Sequence, residues 1–274
     1  MAEAIAAALR RATALLAPSS DTARLDAELL MAHALGIDRG AMLLRSLDGP
    51  VPPGFDGLVS RRRAHEPVAY IVGSRAFWTI DLVVTPAVLI PRPDSETLIE
   101  AAVEHFGATG PRRVIDLGTG SGALLLAALA EWPEATGLGV DASGAALAVA
   151  RGNGERLGLG GRAQWRLGDW AEGIDERFDL LLCNPPYVGT DAPLGPEVAD
   201  HEPASALFAG VDGLDAYRRL AAQIARLIEP GGLGAVEIGA DQADSVTALF
   251  AAAGLTASVR HDLAGRDRAI LAKA

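Results

Sequence analysis

The sequence predicts an α/β protein, with a parallel sheet covered by helices on both faces and a small helical bundle ahead of it. Three observations predict this. Apolar residues recur at helical spacing through residues 1–70. From residue 112 onward, short β-branched or apolar runs alternate with helical stretches, as in repeated βα units. The first of those runs leads into a glycine-rich turn, Asp116-Leu117-Gly118-Thr119-Gly120-Ser121-Gly122, where a strand hands over to a helix.

Taken in order, residues 5–16 and 23–35 carry helical apolar stripes, with Ser20 or Asp21 expected to cap the second and Gly36 to end it. Pro50, Pro52, Pro53 and Gly54 mark a loop, and a further helix is expected over 55–64. Residues 68–71, 77–84 and 88–90 are β-branched or alternating and read as short strands or a β-hairpin. Pro91, Arg92, Pro93 and Asp94 precede a helix over 95–106. Beyond it, strands are expected at 113–117, 135–140, 163–167, 180–183, 234–238, 256–260 and 269–272, and helices at 123–131, 143–157, 213–228 and 242–253. The chain therefore divides into a helical domain (1–70), a hairpin linker (71–90) and an α/β domain (91–274).

Composition narrows the function. The 274 residues carry a formal net charge of −11, and one cysteine, Cys183, stands alone. A lone cysteine provides neither a disulfide framework nor a cysteine-based zinc site, and no metal site is expected; a reducing, cytoplasmic setting is. No uninterrupted apolar run of 18 residues offers a membrane span, and the opening stretch reads as an amphipathic helix rather than a leader peptide. The charge is uneven. Residues 1–75 hold nine arginines against eight carboxylates, while the remainder holds 15 basic and 27 acidic groups. An acidic catalytic region is poorly suited to neutralising phosphates, so stable nucleic-acid binding is not expected. Arg61-Arg62-Arg63 is a local exception, read either as a solvated helix end or as a docking point for an acidic or RNA-bearing partner.

The glycine turn by itself is compatible with several nucleotide cofactors. Asp116 favours S-adenosylmethionine: a carboxylate just before the turn would repel a pyrophosphate but suits a ligand that carries an ammonium and a sulfonium. Asp141, at the tip of the next strand, can accept hydrogen bonds from both ribose hydroxyls; its bland alternative is to cap the helix starting near Ser143. Gly118, Thr119, Gly120, Ser121 and Gly122 would line the cofactor, and Asp169 with Trp170, after the third strand, would bracket the adenine.

The most informative stretch is Asn184-Pro185-Pro186-Tyr187, after the fourth strand and so at the same sheet edge. Two consecutive prolines fix two φ angles, and the first restrains Asn184 toward an extended conformation. Such a turn is stiff before anything binds. An amide or aryl-amine nitrogen is a poor nucleophile because its lone pair is delocalised. Holding its two N–H groups with the Asn184 side-chain oxygen and the Pro185 carbonyl aims that lone pair at an incoming methyl group, and Tyr187 can stack on the planar substrate. Asn184 can also touch the cofactor. Cys183, inside an apolar strand without an activating neighbour, reads as core packing, and His201 as a surface-loop residue.

With these motifs in hand, the sequence resembles the PrmC/HemK family of protein-glutamine methyltransferases, which modify class I peptide chain release factors. The likeness spans nearly the whole chain. It includes Pro67-Val68-Ala69-Tyr70-Ile71-Val72-Gly73, Phe77-Trp78, Leu89-Ile90-Pro91-Arg92-Pro93-Asp94-Ser95-Glu96, both turns above, Glu202-Pro203, Ala209-Gly210-Val211-Asp212-Gly213-Leu214, Pro230-Gly231-Gly232, Glu237-Ile238-Gly239 and Leu263-Ala264-Gly265-Arg266-Asp267-Arg268. It departs at Ala204, where the family often carries a basic residue. The resemblance implies a class I, Rossmann-like methyltransferase domain with a seven-stranded, mostly parallel sheet. It also implies S-adenosyl-L-methionine as cofactor, Asn184–Tyr187 as the amide-binding catalytic turn, the glutamine of a Gly-Gly-Gln motif in a release factor as substrate, and a helical domain that helps to recognise it. Two rivals share the turn: a glutamine methyltransferase of a large-subunit ribosomal protein, and an adenine amino-group methyltransferase of nucleic acid. A cofactor-binding protein with a degenerate site is disfavoured by the intact turn.

Overall fold

The computed structural model describes residues 3–45 and 47–274. They form two compact units, one of residues up to Ser74 together with Leu194–His201, the other of Arg75–Pro193 and Glu202–Ala274.

The first unit is helical: α1 (Ile5–Leu16), α2 (Ala23–Leu35), α3 (Arg39–Arg45), α4 (Phe55–Arg63) and α5 (Val68–Val72). In α1, Ile5, Ala8, Leu9, Ala12 and Leu16 are buried, the three- and four-residue spacing of a single helix face. Helix α2 ends at Gly36, whose left-handed φ of 66° lets its N–H reach the His33 carbonyl. No side chain caps its start. The hydroxyls of Ser20 and Thr22 are instead donated to the carboxylate of buried Asp26, at 2.7 and 2.9 Å. The same carboxylate receives Arg62, at 2.7 Å, and Arg62 also pairs with Glu197 at 2.8 Å. Arg62 is only 4% exposed. With Arg61 held by Glu66 at 2.7 Å, the arginine run is part of the unit's framework rather than a uniform basic surface.

Residues 68–71, expected as a strand, are helical in α5. Pro67 starts the turn in extended conformation and Gly73, at φ 76°, stops it; these boundary residues override the β propensity of two valines and an isoleucine. The hairpin is β1 (Ser74–Phe77) and β2 (Ile80–Val83), turning through Trp78 at φ 54°. Residues 88–90, also expected as a strand, follow a turn in which the Val88 N–H donates to the Thr85 carbonyl, between Pro86 and Pro91.

The second unit continues with α6 (Glu96–Phe106), β3 (Arg113–Leu117), α7 (Ala123–Glu131), β4 (Thr136–Asp141), α8 (Gly144–Arg156), β5 (Ala163–Leu167) and β6 (Phe178–Cys183). A short α9 (Pro196–Ala199) lies in the segment that belongs to the helical unit. Then come α10 (Asp215–Leu227), β7 (Ile228–Glu237), α11 (Ala243–Ala252), β8 (Thr256–His261) and β9 (Asp267–Lys273). The seven strands lie in the order β5-β4-β3-β6-β7-β9-β8. Pairings from β5 through β7 are parallel and only β9 runs against its neighbours.

The central strands show why this sequence makes a two-faced sheet. Val114, Leu180 and Leu182 enter the core beneath α7, while Ile115, Leu117, Leu181 and Cys183 enter the core beneath α10 and α11. Continuous apolar runs thus serve both faces by alternation. Cys183 is fully buried, and burial raises its thiol well above the usual range, so it is packing and not a nucleophile. The chain progresses outward from β3 to β5, then returns to place β6 on the other side of β3. Leu117 pairs with Cys183 at the carboxyl edge. That reversal is where open α/β sheets bind ligands.

Candidate functional site

Because β3 and β6 are adjacent, the glycine turn that starts at Gly118 and the proline turn that starts at Asn184 leave the sheet side by side. Between them, wholly within the α/β unit, lies a cavity of about 550 Å³. Asp116, Gly118, Thr119, Gly120, Ser121, Asp141, Asp169, Trp170, Asn184 and Pro186 all line it. Phe77, Val88, Leu89 and Leu124 supply apolar wall. Gly122, Pro185 and Tyr187, also singled out from sequence, do not line it.

The N–H groups of Gly118 and Thr119 both donate to the Val140 carbonyl at 2.9 Å, which ties the turn to the end of β4. Gly122 precedes α7 with φ 82°, a conformation that favours glycine, and a Cβ there would sit a tight 3.0 Å from Leu126 and 3.1 Å from Trp165. Asp116 is 1% exposed. Its Oδ2 accepts the Thr119 hydroxyl at 2.6 Å and the Leu125 N–H at 3.3 Å, while Oδ1 is buried with no hydrogen-bond partner. Burial pushes this carboxyl up to about 7. An unsatisfied carboxylate oxygen in a cavity wall is an acceptor built for a cationic or N–H-bearing group.

Asp141 accepts the Gly120 N–H at 2.9 Å and the Ser143 N–H at 2.8 Å, one on each oxygen, leaving further lone pairs on both. The helix cap is Ser143 itself, whose Oγ accepts the Ala146 N–H at 3.1 Å. Asp141 is thereby oriented by backbone groups toward the cavity. Trp170 stands at φ 53° with its ring over Gly118, where an added Cβ would lie 3.4 Å from the indole. Asp169 is in the wall but its carboxylate is paired with Arg219 at 2.5 Å, so Trp170 is the more available member of that pair.

The proline turn is braced by a chain of hydrogen bonds that starts at Ser95 in the cavity wall. The Asn184 Nδ2 donates to Ser95 Oγ at 3.0 Å, which leaves the Asn184 oxygen as the end without a protein donor on this side. The Ser95 hydroxyl donates to Glu237 Oε2, and the Tyr187 hydroxyl to Glu237 Oε1 at 3.2 Å. The Tyr187 carbonyl accepts Gln242 Nε2 at 3.1 Å. Ser95 and Glu237 entered the sequence reading only within stretches of family likeness, with no chemical role of their own. Their signal was present, since Glu237 is a lone carboxylate at the end of an apolar strand, the same signature that drew attention to Asp116. His201 contacts the Ala64 carbonyl within the helical unit and takes no part in the cavity.

Comparisons with known proteins place the chain in a family. Residues 7–73 match the family described as PrmC N-terminal domain, and residues 94–194 match the Methyltransferase small domain. The release factor glutamine methyltransferase of Cereibacter sphaeroides is 46% identical over 99% of this chain and 98% of its own length. That of Caulobacter vibrioides is 45% identical over 92% of this chain and 89% of its own. Among solved structures, a methyltransferase from Pyrococcus furiosus shares the fold at a TM-score of 0.55 and 18% identity, covering 80% of this chain and 97% of that one. A Thermus thermophilus 16S rRNA N2 G1207 methyltransferase, solved with AdoMet and guanosine, does so at 0.52 and 24%, covering 73% and 50%. With near-full-length identity of this size, and both halves matched in the same order, the chain belongs to the release factor glutamine methyltransferases.

Proposed function

We propose that this protein transfers a methyl group from S-adenosyl-L-methionine to the side-chain amide nitrogen of the glutamine in the Gly-Gly-Gln motif of class I peptide chain release factors. The observation that carries the reading is the one-sided presentation of Asn184: its amide nitrogen is engaged by Ser95, so its oxygen is the end available to a substrate N–H. The names of relatives at 44–46% identity supply the protein class in which that amide occurs.

The cofactor residues fit the proposed donor. Asp116 Oδ1 meets the ammonium, Asp141 the ribose hydroxyls, Trp170 the adenine, and Gly118 to Gly122 let the backbone approach. Bound S-adenosylmethionine supplies an electrophilic methyl group with a neutral thioether as leaving group. This chain's part is to hold the acceptor. Asn184 Oδ1 and the Pro185 carbonyl accept hydrogen bonds from the two amide N–H groups, which raises electron density on nitrogen and fixes its lone pair in line with the donor; one of those protons leaves to solvent as the N–methyl bond forms and the methyl–sulfur bond breaks. Tyr187 stands beside the planar amide. No strong base is needed, because the nitrogen becomes acidic only as the new bond forms. The 1–70 domain serves substrate docking, and the site works in the cytoplasm without a metal.

Intact-mass analysis of purified release factor, incubated with enzyme and cofactor, is expected to show one added methyl group that fragmentation maps to the Gly-Gly-Gln glutamine. Absence of that product alongside efficient methylation of a ribosomal protein, or of adenine in nucleic acid, would transfer the assignment to the corresponding rival.

A further inference from the structure

An asparagine amide has one accepting end and one donating end, and the methyl-transfer reading needs the accepting end toward the substrate. Nothing in the Asn184 side chain itself decides this. The decision falls to Ser95 Oγ, which touches its nitrogen at 3.0 Å. A hydroxyl has a single proton to give. The Ser95 proton is donated to Glu237 Oε2, so Ser95 can only accept from Asn184, and the amide must turn its nitrogen inward and its oxygen outward. The other oxygen of the same carboxylate receives the Tyr187 hydroxyl at 3.2 Å. One carboxylate therefore sets both ends of the turn.

Glu237 is well fixed for this task. It is 1% exposed, paired in register with Ala269, and its backbone carbonyl accepts the Tyr217 hydroxyl at 3.0 Å. It is not merely one half of a buried ion pair. The nearest guanidinium, Arg268, is bonded to Asp94 at 3.1 Å and Asp262 at 3.3 Å, while the hydrogen bonds of the Glu237 carboxylate run to Ser95 and Tyr187.

We propose that Glu237 is a positioning residue for methyl transfer: as a carboxylate it accepts the hydrogen bond of the Ser95 hydroxyl and thereby locks the Asn184 oxygen toward the substrate nitrogen. This rests on the reading of Asn184 as the substrate-holding residue. If Glu237 is protonated, it can donate to Ser95, Ser95 can turn its own proton onto Asn184, and the amide rotates its donating end outward, where it opposes a substrate N–H. The titratable and charged groups around Glu237 are Asp94, Arg268, Tyr187, Tyr217 and Cys183. Burial pushes Glu237 up to about 7, against the pull of Ser95, Arg268 and Tyr187.

The test uses the full chain with saturating S-adenosylmethionine and purified release factor, and follows kcat from pH 6 to 8.5. The wild type should lose turnover by about tenfold per unit below an apparent value near 7. Glu237→Gln removes the titrating group and Ser95→Ala removes the relay, so kcat should lose its acid limb in both. Ser95→Ala should also run about tenfold slower at pH 8. Calorimetric binding of S-adenosylmethionine identifies folded variants, and Ser95→Ala stands in if Glu237→Gln does not fold. An acid limb that persists in either folded variant, or is missing from the wild type, overturns the proposal. A wild type that does not methylate release factor at all would instead overturn the reading on which it rests.

Discussion

At the scale of single residues, the site depends on a few carboxylates and one amide. Asp141 has its two oxygens held by the Gly120 and Ser143 N–H groups, and the charge-assisted contact to a ribose proposed for it would be worth about 1.5–3 kcal/mol. Asp141→Ala should therefore weaken S-adenosylmethionine about ten- to a hundredfold in calorimetric titration. Asn184→Ala removes an aimed acceptor, and single-turnover kinetics should show a loss of about a hundredfold or more. Asp116 makes a prediction about pH. Burial raises its carboxyl to about 7, so the free protein holds it neutral below that value and ionised above. A cationic ligand binds the ionised form. Affinity for S-adenosylmethionine should be full above pH 7 and fall about tenfold per unit below it, a trend that Asp116→Asn should abolish. A flat titration in the wild type would remove the ammonium contact. The residues legible from sequence were those whose chemistry is written in local order: Asp116 ahead of its glycines, Asn184 ahead of two prolines. Ser95 and Glu237 are separated by 142 positions and meet only through folding, so no local pattern ties them to Asn184.

Among elements, the alternation of strand and helix after residue 112 was readable because the central strands bury residues on both faces and α10 presents a distinct apolar stripe. The central strand at 180–183 is seen as Phe178–Cys183 and that at 234–238 as the longer Ile228–Glu237. Short elements were harder. Five residues at Val68–Val72 have strand-like composition, and their helical state is decided by Pro67 and Gly73 at the ends. Likewise neither Ser20 nor Asp21, the caps expected for α2, caps it: Thr22 holds that position without a side-chain cap, and the Ser20 and Thr22 hydroxyls donate to Asp26. The Asp26 anchor is testable. Arg62 is buried between Asp26 and Glu197, and removing one partner of a buried charged cluster costs about 3–5 kcal/mol. Arg62→Leu should lower the thermal stability of the helical unit by that order, seen as an earlier transition in calorimetry. An unchanged transition would mean that the cluster is solvent-accessible in solution.

For the molecule as a whole, the division of labour gives one more expectation. A fragment starting near Pro67 should bind S-adenosylmethionine within about threefold of the full chain, since every residue lining the cavity lies beyond that point. Its methylation of intact release factor should fall far below that of the full chain. Full activity of the fragment in the mass assay would refute a docking role for residues 1–70. Among the described residues no helix is long and apolar enough to cross a membrane.

The helical unit is built from two separate stretches of chain, because Leu194–His201 joins residues up to Ser74. The polypeptide thus passes between the units three times: after Ser74, after Pro193 and after His201. The helical unit is consequently not contained in one N-terminal segment. A chimera that grafts the first 74 residues of a relative onto this catalytic half would pair a foreign Asp26–Arg62 couple with the native Glu197. Recombination between family members should then succeed only when residues 194–201 travel with the N-terminal segment. Two distant blocks of the sequence thus form one structural unit of inheritance.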